Sequence, residues 1–334
     1  MLDCFAALAK TRSLLTSRLA PAPNLVARFE ADLKPLADTK AKLGIAVSGG
    51  PDSLALLLLA AASRKDGIEA ATVDHQLRSE SAGEAAFVRS VCDRLGVSHV
   101  TLPVSVAPGS SVQAQARRAR YDALGEWAIA RDLGAVATGH HVDDQAETLL
   151  MRMARGAGLG GLVGVRYSRP LEPGVTLVRP LLEWRRAELA AIVAASGITP
   201  VDDPANRDPR HDRSRFRATL AEADWADAER LAASARWLAD ADEALEWALK
   251  SLLETRMERA DGSITINAEG LPRELQRRLL VAGFDRMGAH RPRGPELDRA
   301  RKALRAGKAA TLAGLKLEPG PPWKLSVAPP RRRN

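Results

Sequence analysis

The chain has 334 residues, 46% of them hydrophobic and 27% charged, with a formal net charge of +8. This is the composition of a globular chain long enough for two domains, and its longest apolar run, residues 54–62, falls far short of the roughly 20 residues that span a membrane. Two cysteines, Cys4 and Cys92, exclude a disulfide framework or a multi-cysteine metal site and point to a reducing cytoplasm.

Residues 1–40 read as a helical N-terminal extension, broken by Pro21 and Pro23 and ending near Pro35. A short apolar strand, Leu43-Gly44-Ile45-Ala46-Val47, leads into Ser48-Gly49-Gly50-Pro51-Asp52-Ser53 and then an unbroken apolar helix. Strand, glycine turn and helix form a phosphate cradle. Gly49 and Gly50 let backbone amides approach an anion, and the helix adds the positive end of its dipole. Ser48 and Ser53 can donate to phosphate oxygens, and Asp52 can hold a magnesium ion that neutralises them. The lysine of the Walker loop is missing, which disfavours a kinase or GTPase type of site.

Residues 68–73 read as a second strand, followed by a polar stretch from Asp74 to Ser81 at the edge where open parallel sheets bind ligands. A helix over 82–95, a strand near 98–104 and a turn at 108–111 come next. The following helix carries Arg117, Arg120 and Tyr121 on one face, and residues 135–138 form a further strand. Strands alternating with helices at this spacing predict an α/β fold with a doubly wound, mainly parallel sheet, assigned to residues 41–217.

Directly after that strand stands Gly139-His140-His141-Val142-Asp143-Asp144-Gln145-Ala146-Glu147-Thr148. With a helix begun by His140, the side chains of His140, Asp144 and Glu147 share one face. Acids enriched at a helix N-terminus are one explanation. Zinc is disfavoured, because H-E-x-x-H and a third ligand are lacking. Magnesium shared by Asp52 with Asp143 or Asp144 fits better, the triphosphate supplying the other ligands. A third role is to receive an amine, with Asp144 or His140 orienting it and taking its proton.

From residue 218 to 334 the pattern predicts a smaller, mainly helical and basic region. Amphipathic helices cover about 220–259, with Trp225 and Trp237 at core spacing, and a short strand at 263–267 precedes a helix at 271–287. Between Arg291 and Asn334 stand eight arginines and four lysines against three acids. A second basic cluster runs from Arg207 through Arg213 and Arg215 to Arg217. Two basic zones flanking a nucleotide site point to a nucleic-acid substrate, with Arg207, Arg213, Arg217, Arg291, Arg293 and Arg301 as candidate contacts.

Several motifs in order carry a resemblance. They are SGGPDS at 48–53, Val73-Asp74-His75-Gln76-Leu77-Arg78, GHHVDDQAET at 139–148, Arg155-Gly156-Ala157-Gly158-Leu159-Gly160-Gly161-Leu162, Arg179-Pro180-Leu181-Leu182 and Asp203-Pro204-Ala205-Asn206-Arg207-Asp208. Over residues 43–217 the chain resembles the tRNA(Ile)-lysidine synthetases, a family of PP-loop ATP pyrophosphatases.

The resemblance implies that ATP, with Mg2+, adenylates the wobble cytidine of a tRNA(Ile) bearing a CAU anticodon, and that free L-lysine then displaces AMP. It implies ATP binding by Ser48 to Ser53, with Asp52 near metal and pyrophosphate. His140, Asp144, Glu147 and Arg215 would lie by the lysine or the reacting base, and Arg120 would contact phosphate or the activated base. The C-terminal region would hold the tRNA. No protein partner is implied, and a homodimer is allowed.

The chain departs from the family pattern at His211 and Ser214, which replace an aromatic residue and an asparagine. The competing readings are a PP-loop tRNA cytidine thiolase, which wants paired cysteines, an amidotransferase-coupled synthetase, which wants a glutaminase domain, and a non-catalytic RNA-binding protein.

Overall fold

The computed structural model describes residues 19–76, 81–105, 112–202 and 212–329. Arg207, His211 and the Asp203 to Asp208 motif lie outside the described residues. The chain divides into two compact units, one made of the residues up to Arg155 with Gly164–Ala235, the other of Gly156–Val163 with Arg236 onward.

In the first unit α1 (Pro23–Leu33) precedes β1 (Leu43–Ala46), α2 (Pro51–Ser63), β2 (Ile68–Asp74), α3 (Ser81–Leu95), β3 (Ser98–Pro103), α4 (Val112–Ala130) and β4 (Ala135–Ala137). Then come α5 (Val142–Ala154), β5 (Ser168–Glu172), β6 (Val175–Val178), α7 (Arg186–Ala195) and α8 (Asp212–Glu222), with α6 (Leu159–Leu162) between α5 and β5 belonging to the second unit. The sheet order is β3-β2-β1-β4-β6-β5, parallel except for β5. The chain runs outward from β1 to β2 and β3, then crosses to β4 on the other side, so the strand order reverses between β1 and β4. Loops leaving the carboxyl ends of those two strands diverge and open a crevice.

Helix α2 is buried from Ser53 to Ala60, which explains an apolar sequence without polar periodicity. It packs against α1 and α7, within a core holding Leu43, Ile45 and Val178. The opposite face of the sheet carries a separate core around Leu124, Trp127, Val136 and Leu177. Pro23 does not break a helix: it opens α1, where its missing N–H costs nothing. Nor is α1 an appendage, since Phe29 and Leu33 are buried and the Trp184 indole donates to Asp32 at 2.8 Å.

The second unit holds the expected helices and more sheet than the one short strand expected. Beside α9 (Ala228–Thr255, which belongs to this unit from Arg236), α10 (Arg273–Arg286) and α11 (Gly294–Arg305), it holds a five-stranded antiparallel sheet. The strands are β7 (Met257–Ala260), β8 (Ser263–Ile266), β9 (Ala310–Leu312), β10 (Leu315–Glu318) and β11 (Trp323–Val327), in the order β7-β8-β11-β10-β9. Leu279, Phe284, Leu297, Leu317 and Leu325 form its core, so the basic segment after His290 is part of a folded unit. Trp237 and Trp247 are 73% and 76% exposed, and Trp225 of the first unit 74%, against the expectation that tryptophans of this region fill a core.

Arg301 is another correction: it is buried, with a guanidinium nitrogen donating to Gln276 Oε1 at 3.1 Å, so it offers nothing to a phosphate. Arg291 is exposed but paired with Asp285, and Arg293 is exposed. The central electrostatic tie of this unit is Arg278, whose buried guanidinium meets the buried Asp242 and also Glu246 and Glu274. Removing one partner of such a pair leaves a buried charge uncompensated. Arg278→Met is expected to destabilise the second unit by about 3–5 kcal/mol in urea unfolding, and a loss below about 1 kcal/mol would show the pair to be solvent-screened.

Candidate active site

The crevice between β1 and β4 is lined by Ser48, Gly50, Pro51, Asp52 and Ser53 from the glycine loop, Arg120 and Tyr121 from α4, and Thr138, Gly139, His140 and Asp144 from the β4–α5 segment. Arg186, Arg213 and Arg217 complete its polar wall. Gly49 sits at φ +85°, a left-handed conformation that favours glycine. Ser53 braces the loop: its Oγ donates to the Gly50 carbonyl at 3.0 Å and accepts from the Ser48 amide at 3.1 Å. The role expected for Ser53 in binding phosphate is therefore largely taken by the loop itself. The first turn of α2 presents its amide end here, a ready anion site.

A second close approach joins the two strand ends. A Cβ on Gly139 would stand 2.9 Å from the Asp52 carbonyl oxygen, a contact only glycine permits without backbone movement. The backbone stays extended through His141, which caps α5, so the helix starts at Val142 rather than at His140. Extended geometry sends consecutive side chains opposite ways. His140 lines the crevice, while His141 turns inward and is 1% exposed.

His141 went unselected in the sequence, yet it is the hub. Its Nε2 lies 3.4 Å from Asp52 Oδ2 and 3.6 Å from Asp144 Oδ2, and its Nδ1 lies 3.4 Å from Asp143 Oδ2. These spacings are ion pairs more than directional hydrogen bonds. Burial pushes the imidazole down, but Asp143, Asp52 and Asp144 outweigh it and raise its pKa to about 10. It is an imidazolium at neutral pH. Its doubled histidine and flanking acids were the only signal available.

Burial drives His140 the other way, down to about 3 against a modest pull from Asp144, so it is neutral. Its Nδ1 is 2.9 Å from Thr138 Oγ1. Asp144 is buried but held below the usual carboxylate range by the charges of His141 and Arg213, and its Oδ2 accepts the His141 amide at 3.1 Å. Asp143 faces away from the crevice. Its Oδ2 accepts the Arg186 amide at 2.9 Å as well as facing His141, and despite burial the two hold its pKa near 2. Of the two acids considered beside Asp52 for magnesium, Asp144 lines the crevice and Asp143 does not.

Glu147 is also corrected. It is 1% exposed and does not line the crevice; instead it receives Arg213 Nε at 3.1 Å and Arg217 Nε at 2.7 Å. It aims two α8 arginines at the site, and Arg213 reaches Asp144 Oδ1 at 3.3 Å. Arg215, between them on α8, turns outward to Asp212 and is 62% exposed, so the expected lysine or base contact is not met. Arg120 does line the crevice, with Nε 3.4 Å from His75 Nε2, a histidine kept neutral by burial and by Arg120 itself.

Among the described residues no three or more His, Cys, Asp or Glu side chains are arranged so that they could hold a metal ion by themselves. Asp52 Oδ1, however, is buried without a hydrogen-bond partner, an acceptor that a hard cation can satisfy together with substrate oxygens. Cys92 is buried in the core, its thiol pushed up to about 12 by burial, which leaves it unsuited to sulfur transfer.

A glycine loop and a cationic wall at the strand-order reversal of a doubly wound sheet define a PP-loop protein, and the family model described as PP-loop domain matches residues 21–223. The fold is shared with the U34-tRNA thiolase NcsA from Methanococcus maripaludis, at a TM-score of 0.53 and 17% identity over 64% of this chain and 77% of that one. Proteins named tRNA(Ile)-lysidine synthase match more fully. That of Novosphingobium aromaticivorans is 48% identical over 91% of this chain and 94% of its own length, and that of Zymomonas mobilis 41% identical over 87% and 90%. The chain belongs to the tRNA(Ile)-lysidine synthase family.

The pKa of His141 fixes a pH signature. Its folded value near 10 exceeds the ordinary 6.5, so the stability it contributes is fully present below about pH 6.5 and is lost as pH rises through about 10. Urea titrations of the metal-free protein are expected to show this decline, and His141→Gln to flatten it. Equal slopes in the two proteins would contradict the ion-paired imidazolium.

Proposed function

We propose that the chain ligates L-lysine to C2 of the wobble cytidine in the CAU anticodon of tRNA(Ile), consuming ATP and releasing AMP and pyrophosphate. The carrying observation is that the amide end of α2, the cations Arg120, Arg213 and Arg217, and the pair His140 and Asp144 all face one crevice. An anionic triphosphate and a cationic amine each find a complementary partner there.

In the first step the cytosine C2 oxygen attacks the α-phosphorus of ATP and pyrophosphate leaves. The loop amides and the arginines offset the charge that grows on the leaving group. Magnesium, when bound, neutralises the triphosphate, and Asp52 with Asp144 are the carboxylates that would hold it. In the second step the lysine ε-amine attacks C2 and AMP departs. Asp144, ionised, supplies the counter-charge that orients the incoming ammonium, whose ordinary pKa is about 10.4; that ammonium gives one proton to solvent before its nitrogen can attack. His140, neutral with its pKa depressed to about 3, is a weak base. It takes the amine proton only as the C–N bond forms and the nitrogen becomes acidic. Arg291 and Arg293 of the second unit would add phosphate contacts. The reaction is assigned to the cytoplasm, with tRNA and free L-lysine as partners.

The test is incubation with ATP, magnesium, labelled L-lysine and unmodified transcripts. Label is expected to enter the tRNA(Ile) transcript only with ATP, and not an elongator methionine tRNA with the same anticodon. Asp52→Ala is expected to abolish pyrophosphate release, whereas Asp144→Asn should slow lysine transfer at least 100-fold, more than it slows adenylation. Full lysidine formation by Asp144→Asn would remove that residue from its assigned role.

A further inference from the structure

Three arginines that this chemistry leaves unused gather around one ring. Tyr121 lines the crevice, and Arg169 and Arg117 lie against its ring with guanidinium carbons 4.5 Å and 5.1 Å from the centroid. Neither arginine lines the crevice itself; both lie against Tyr121, which does, with Arg117 exposed and Arg169 half-buried. Arg179, which follows β6, is 2% exposed, donates to the Arg166 carbonyl at 2.6 Å and faces the Tyr121 hydroxyl, while its Nε is buried without a partner.

Arg117, Arg169 and Arg179 form no ion pair with a carboxylate among the described residues. This sets them apart from Arg213 and Arg217, which share the Glu147 carboxylate as a partner. A buried guanidinium normally has an anionic partner. Here its nearest charged neighbours are other cations, and burial with their repulsion pulls its pKa down. A cluster so arranged is relieved by an anion from outside.

The triphosphate is served by the loop amides and by Arg120, Arg213 and Arg217, all inside the crevice. The anion outside it has to lie along the rim while a base enters. That describes the phosphodiester chain of single-stranded RNA, whose bases turn inward and whose phosphates remain at the edge.

We propose that Arg117 and Arg169, set by the Tyr121 ring and backed by the buried charge of Arg179, form a phosphodiester-binding rim. The rim grips the RNA backbone next to the nucleotide whose base enters the crevice. The proposal rests on the reading that the substrate is RNA, and it adds a site separate from the ATP-binding loop.

The test is the salt dependence of binding of an unmodified tRNA(Ile) transcript to the full chain, compared with Arg117→Gln/Arg169→Gln and Arg117→Lys/Arg169→Lys. Loss of two phosphate contacts lowers the magnitude of the log Kd against log salt slope by about 1.4. At least a tenfold weakening in the Gln variant is expected at low salt, with ATP affinity unchanged and with the Lys variant retaining the slope. Wild-type binding with an unaltered slope in the Gln variant would overturn the rim and leave the RNA reading standing. Absence of transcript binding by the wild type would overturn both. Arg179→Lys gives an independent check: it keeps the charge but not the fork, and is expected to weaken RNA binding without altering ATP affinity. Unchanged RNA affinity would remove Arg179 from the rim.

Discussion

Three carboxylates converge on one buried imidazolium, and the site depends on that contact. Asp52 belongs to the first turn of α2 after β1, Asp143 and Asp144 to the first turn of α5 after β4, and His141 lies between them. Without the positive charge, three acids drawn into one volume would repel one another. With it, two loops from opposite sides of the strand-order reversal are held as one body. Gly139 makes the approach sterically possible, and Asp143 extends the tie to α7 through the Arg186 amide. Phosphate loop and amine-facing carboxylate are thus positioned by the same interaction.

Around this hub the charges alternate in layers. Asp144 is negative toward the crevice, Arg213 and Arg217 are positive, and buried Glu147 holds both arginines in place. Such a sequence lets one crevice accept a polyanion and an ammonium without either being repelled. The neutral His140 adds a polar group with no net charge. The arginines set around Tyr121 lack this compensation, and on the proposed rim an RNA phosphate would supply it.

The catalytic fold was legible because its signals are local and repetitive. The glycine loop follows a strand, opens a helix, and lies at the sheet edge expected for ligands; Asp52, His140, Asp144 and Arg120 all reach the crevice. What could not be read was direction. Glu147 and Asp143 share the acidic motif with Asp144 but spend their charge on arginines, on a backbone amide and on His141, and Arg215 faces outward between two inward neighbours. Adjacent histidines differ in environment because the backbone is extended there, whereas a helix had been assumed.

In the second unit the strands are three to five residues long, too short for periodicity to register. One local signal does mark this sheet: Asp261-Gly262, both at positive φ, is a two-residue hairpin turn joining β7 to β8. Tryptophans at helical spacing misled because spacing says which residues share a face and not whether that face is covered.

On the proposed reading, ATP activates the RNA base before the amine attacks, within a single crevice. The most direct measurement uses ATP labelled at the α-phosphate with unmodified tRNA(Ile) transcript and no lysine. The account predicts label on the RNA, discharged as AMP when L-lysine is added. Label that appears on lysine instead, or pyrophosphate release that needs lysine and never labels the RNA, would contradict it.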